Sequence, residues 1–112
     1  MRKLTLTLLS GALLIPGLAG AETFTNVPVV DTNCSKRVAN SPDSHTRDCA
    51  LKCAKSGFGI ITSDNRYLRF DQAGNEQVLS QLRSSDKKDH LRVNVDGDVQ
   101  GDTLHVKTVT LE

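Results

Sequence analysis

The stretch Leu91–Glu112, LRVNVDGDVQGDTLHVKTVTLE, decides the class of the fold. Leu91, Val93 and Val95 alternate with Arg92, Asn94 and Asp96, the two-residue period of a strand with one face on a core and the other in water. Asp96-Gly97 and Gly101-Asp102 punctuate the connection that follows. Leu104 to Leu111 reads as a second strand, with Leu104 and Val106 on one face. Val109 and Leu111 fall on the opposite parity, which requires a bulge or a change of partner.

The same logic extends towards the N-terminus. Ser84 to Asp89 is a charged loop, preceded by a short helix whose Val78, Leu79 and Leu82 share one apolar face and which Asn75 is expected to cap. Before it, Phe58–Thr62 (FGIIT), a turn at Ser63-Asp64-Asn65 and Arg66–Asp71 (RYLRFD) form a hairpin, with Leu68 and Phe70 on one side and Tyr67 and Arg69 on the other. Glu22–Asp31 (ETFTNVPVVD) is a first strand, where Pro28 implies an edge or a bulge. With the helix expected between the first and second strands, the order is strand, helix, strand, strand, helix, strand, strand. The expected fold is therefore mainly β with two short helices: an OB-like, five-stranded, partly open barrel. The alternative is an α+β sheet with both helices on one face.

The first 21 residues, MRKLTLTLLSGALLIPGLAGA, have the form of a secretory signal peptide. Arg2 and Lys3 supply the positive region, Leu4 to Leu18 is mostly apolar, and Ala19-Gly20-Ala21 is a small-residue cleavage pattern. Residues 22–112 are then the mature chain, one small domain expected in the periplasm or outside the cell. No membrane span is expected after cleavage, because the later apolar runs are short and broken by charges. The formal charge is +1, and removing Arg2 and Lys3 leaves twelve basic against thirteen acidic residues. These are interspersed, so no basic footprint for nucleic acid exists, and none is expected as a partner.

The chemistry is concentrated in Cys34–Cys53, CSKRVANSPDSHTRDCALKC, which holds all three cysteines. Ser41-Pro42-Asp43 has the pattern of a helix start and Gly57 that of a stop. On such a helix His45, Cys49 and Cys53 recur every fourth residue and stack on one stripe, with Cys34 upstream as a fourth donor. Leu51 is the only large aliphatic residue there, so the cysteines must help to anchor the segment.

Three cysteines cannot all pair within one chain. A disulfide between Cys34 and either Cys53 or Cys49 would close a loop of about 15 to 20 residues, worth on the order of 3 kcal/mol. The unpaired cysteine is then buried, or links two copies as a homodimer. A Cys₃His set of Cys34, His45, Cys49 and Cys53 instead suits Zn²⁺ or Cu(I) in softness. Thiol redox chemistry is a third reading, without the C-x-x-C signature. Taken alone, His45 is expected to be exposed, and so are His90 and His105. Asp96, Asp98 and Asp102 match no EF-hand spacing. No catalytic constellation is present in the sequence, so no enzyme activity is expected.

The stretch CALKCAKSGFGI, the hairpin containing RYLRFD and the ending VDGDVQGDTLHVKTVTLE resemble small exported bacterial OB-fold-like proteins with a Cys/His-bearing helix. The resemblance covers most of the mature chain. It implies the β-domain and the preceding Cys/His segment, and it names no ligand. The leading expectation is an exported binding or structural module stabilised by a disulfide, with a Cu(I) or Zn²⁺ site as the sharper alternative.

Overall fold

The computed structural model describes residues 21–112; the segment expected to be a signal peptide lies outside them, except for Ala21. The strands are β1 (Ala21–Asp31), β2 (Phe58–Ile61), β3 (Tyr67–Phe70), β4 (Arg92–Gln100) and β5 (Thr103–Leu111). Among the described residues two α-helices, α1 (Arg47–Lys52) and α2 (Gln72–Ser84), accompany them. The strands close into a barrel in the order β1-β2-β3-β5-β4, with β4 returning to β1. This is the mainly β, OB-like fold expected from the sequence, with α2 between β3 and β4. The barrel is closed where a partly open one was expected.

Closure depends on β1 serving two neighbours. Its first part pairs with β4, and Val29–Asp31 pair with β2. The register shifts between Phe24 and Val27, where Asn26 adopts φ 54, so the strand turns just before Pro28. The expected bulge in the last strand is also present: Asp96 pairs with Thr108 and Gly97 with Val106, leaving Lys107 unpaired. That extra residue keeps Leu104, Val106 and Val109 all facing inward despite their mixed parity.

The seam between β3 and β5 is narrow, with Arg69 and Phe70 paired in parallel to Thr103 and Leu104. Beyond it, side chains of α2 take over the edge of β5. Gln77 donates to the Lys107 carbonyl at 3.3 Å and accepts from Val109 N–H at 3.2 Å. Gln81 donates to the Val109 carbonyl at 2.7 Å and accepts from Leu111 N–H at 2.6 Å. The two amides, one helical turn apart, thus satisfy an edge that would otherwise lie unpaired. On the same helix Val78 and Leu82 are fully buried in the barrel core with Phe58, Leu68 and Leu104. The cap of α2 is Asp71, whose carboxylate accepts from Gly74 N–H at 3.0 Å. Asn75, expected as the cap, instead accepts from Phe58 N–H at 2.8 Å and ties the helix to β2.

The cysteine segment differs most from expectation. Pro42–Ser44 forms a single 3-10 turn, and Ser41 makes no side-chain cap. At His45 the backbone becomes extended (φ −72, ψ 128), and α1 starts only after Thr46, whose hydroxyl accepts from Cys49 N–H at 3.1 Å. His45 therefore precedes the helix, and the stripe of His45, Cys49 and Cys53 does not form. The physical reason is burial: the His45 ring turns inward to a partner on β1. Gly57 does end the segment, at φ 84 after the 3-10 turn Ala54–Ser56.

Candidate metal centre

The site is built where β1 runs out. Asp31, the last residue of that strand, caps the 3-10 turn Thr32–Cys34 by accepting from Cys34 N–H at 3.0 Å through Oδ2. Its other oxygen, Oδ1, lies 2.6 Å from His45 Nε2. Asp31 has no solvent exposure and His45 only 6%. A buried carboxylate is tolerable only when its oxygens are engaged, and here a backbone N–H and an imidazole engage them. His45 is thus a buried structural partner, contrary to the expectation that it is exposed.

Several bonds hold His45 in place. Arg92 grips Asp43 with two guanidinium bonds of 2.9 Å, and His90 N–H donates to the Asp43 carbonyl at 2.9 Å. This pins the turn before His45 onto β4. After it, Arg47 N–H donates to the Lys88 carbonyl at 2.8 Å, and Arg47 Nε donates to the Leu82 carbonyl, near the end of α2, at 2.7 Å. Two attachments flank one inward-facing ring.

The far end of the segment returns to the same place. Thr32 N–H donates to the Gly57 carbonyl at 2.8 Å, and Asn33 N–H donates to Ser56 Oγ at 3.0 Å. Cys53, the residue that closes α1, is thereby brought beside Cys34. One carboxylate oxygen of Asp31 and the sulfurs of Cys34 and Cys53 all lie within 4.8 Å of one another. Tyr67 braces this corner from β3: its hydroxyl pairs with Thr32 Oγ1 at 2.9 Å and donates to the Val30 carbonyl at 3.2 Å. Burial pushes the Tyr67 phenol up to about 12, so it remains a neutral hydrogen-bonding group.

All three cysteines are free thiols, with Cys34 buried, Cys53 half-buried and Cys49 exposed. Burial raises the Cys34 thiol above its ordinary range, and the neighbouring Asp31 charge adds to this, while Arg37 opposes it. Each of the two clustered sulfurs has a nitrogen donor beside it. Arg37 approaches Cys34 Sγ at 3.5 Å, and Asn33 Nδ2 approaches Cys53 Sγ at 3.5 Å.

Of the residues singled out by sequence, the structure brings Cys34 and Cys53 together and places His45 behind them through Asp31. Cys49 lies outside the group, on the exposed face of α1. Asp31 joins Cys34 and Cys53 where the Cys₃His reading had His45 and Cys49. In the sequence it is only the last residue of the first strand, although its position three residues before Cys34 is the spacing of a capping carboxylate. His90 and His105 are largely exposed, beside Asp89 and Asp71 respectively.

This group can hold a metal ion. Bond lengths of about 2.3 Å to sulfur and 2.0–2.2 Å to oxygen put tetrahedral donors roughly 3.5–3.8 Å apart, within the 4.8 Å spread observed. A separate concavity between the first half of β1 and the turn joining β2 to β3 is lined by Phe24, Val27, Asp64, Arg66 and Val99. Its mixed lining points to no ligand class. Comparison of the chain with protein-family models, with curated proteins and with solved structures finds no match.

Proposed function

We propose that the chain is an exported, non-enzymatic metal-binding protein that takes Zn²⁺ at Asp31, Cys34 and Cys53. The observation that carries this reading is the convergence of one carboxylate oxygen and two sulfurs within 4.8 Å. The carboxylate is what favours zinc: oxygen and thiolate together suit a borderline divalent ion, whereas Cu(I) prefers sulfur alone. Charge agrees. Two thiolates and one carboxylate total three negative charges, which a divalent ion and the nearby Arg37 balance more fully than a monovalent ion would. His45 acts behind the metal, holding Asp31 by its Oδ1. Three protein donors leave a fourth position for water or an incoming ligand.

Zinc titration of the reduced protein against a chromophoric chelator tests this. One equivalent should bind. Cys34→Ser and Cys53→Ser should each weaken binding by more than about 100-fold, beyond the range typical of losing an outer partner. Cys49→Ser should leave it unchanged. Equal losses from all three would restore a three-cysteine site, and no uptake at all would remove the metal reading.

The second reading is the disulfide module: Cys34 and Cys53 are free and not at bonding distance, yet their sulfurs lie within 4.8 Å. A bridge between them would close a loop of about 20 residues, worth on the order of 3 kcal/mol. Cys49 would then be the exposed thiol available for a link to a second copy.

A further inference from the structure

The two readings use the same two sulfurs, and their surroundings differ in a way that orders a reaction. Cys53 is half-buried, so an external disulfide can reach it, whereas Cys34 is buried and faces Cys53. The backbone on both sides is already stitched together by the bonds from Thr32 to Gly57 and from Asn33 to Ser56, at 2.8 and 3.0 Å. Bringing the sulfurs to bonding distance, about 2.05 Å, therefore does not require the loop to be closed first. Asn33 Nδ2 at 3.5 Å from Cys53 Sγ and Arg37 at 3.5 Å from Cys34 Sγ are placed to stabilise negative charge on either sulfur.

We infer that Cys53 and Cys34 form a redox gate on the metal site, an entry thiol and a resolving thiol that exchange with external disulfides and release the ion when they pair. This rests on the zinc reading for the released cargo. In the first step Cys53 Sγ attacks one sulfur of an external disulfide RSSR. The Cys53–S–S–R bond forms, the RS–SR bond breaks, and RS⁻ leaves and takes up a proton from water, because Cys53 enters the step as the thiolate that held the ion. In the second step Cys34 Sγ, likewise a thiolate, attacks Cys53 Sγ: the Cys34–Cys53 bond forms, the Cys53–SR bond breaks, and the second RS⁻ takes up a proton from water. The two sulfurs lose two electrons, Zn²⁺ departs, and with two protons from water one external disulfide becomes two thiols. The Cys34–Cys53 bridge removes both thiolate donors, leaving Asp31 as the sole member of the group able to hold an ion. Cys49, exposed and outside the group, takes no part.

The test equilibrates the zinc-loaded protein, with and without Cys49→Ser, in glutathione buffers of graded disulfide content. Each sample is quenched by alkylation for intact mass and peptide mapping, and bound zinc is measured in parallel. The expected result is one two-electron transition in both proteins. It carries two fewer alkyl groups on the intact protein, a Cys34–Cys53 link, and loss of the zinc equivalent over the same range of buffer. Zinc retained across the range, with Cys34 and Cys53 still reduced, overturns the gate and leaves the metal reading standing. A bridge that maps to Cys49 in the wild type also overturns it. A Cys34–Cys53 bridge in protein that never takes up zinc removes the metal reading and the gate together, leaving a structural disulfide.

Discussion

Asp31 Oδ1 and His45 Nε2 lie 2.6 Å apart, joining the end of the first barrel strand to the loop before α1 in an almost solvent-free setting. The contact stands beneath Cys34, whose backbone N–H donates to the other Asp31 oxygen at 3.0 Å. One carboxylate therefore organises the turn, the buried ring and the pair of sulfurs beside it. The loop geometry that gives up a continuous helix through His45 follows from this contact.

In the metal-free protein, removing the ring leaves a buried carboxylate short of a partner. His45→Ala should lower unfolding free energy by about 3 kcal/mol or more, a fall in Tm of roughly 12 °C or more. Adding Asp31→Asn should recover part of that loss, because the uncompensated charge goes with it. Thermal and urea unfolding of both variants without metal would check this. An unchanged Tm for His45→Ala would contradict the buried-pair account.

The fork between Arg92 and Asp43 gives a pH signature. Hydrogen bonding to Arg92 holds the Asp43 carboxyl below its ordinary value of 3.8, while partial burial opposes this. A depressed carboxyl contributes stability fully above its unfolded value and loses it as pH falls through the folded value. Both side chains are about a third exposed, 30% for Arg92 and 35% for Asp43, so the pair should be worth under about 1 kcal/mol. Asp43→Asn should therefore be slightly less stable than wild type at neutral pH. The two unfolding curves should converge in acid, below the folded Asp43 value.

The helix amides that cover β5 should matter more than surface glutamines usually do. Gln81→Ala strands the Leu111 N–H and the Val109 carbonyl, both bonded to Gln81 in a part-buried setting. The expected cost is about 1–2 kcal/mol, readable by urea unfolding, with faster hydrogen exchange at Leu111. A loss confined to a few tenths of a kcal/mol would mean that water replaces the amide without cost.

Thiol labelling should rank the cysteines by their surroundings. Exposed Cys49 should alkylate first, half-buried Cys53 next and Cys34 last, because burial and the Asp31 charge hold the Cys34 thiol protonated. Zinc should slow Cys53 and Cys34 and leave Cys49 unchanged, as time-resolved mass mapping would show. Zinc binding must also displace the Cys34 proton, so affinity should rise with pH.

Much of the barrel was legible because its signals are local. The alternation in β4, the parity change that became the Lys107 bulge, and the hairpin of β2 and β3 all follow from period and turn chemistry. What was not legible depends on contacts distant in sequence. The Ser-Pro-Asp pattern at Ser41 has the composition of a helix start, yet the pull of Asp31 on His45 outweighs it. Asp31 itself became recognisable as a site residue only when residues 53–57 returned to meet residues 32–34. Gln77 and Gln81 are polar residues on a helix whose apolar stripe was plain, and nothing local marks them as covers for a strand edge.

Zinc K-edge X-ray absorption on the reduced, zinc-loaded protein tests the central claim most directly. The account predicts two sulfurs at about 2.3 Å and lighter donors at about 2.0 Å, unchanged by Cys49→Ser. A shell with three sulfurs, or one with no sulfur, would contradict it.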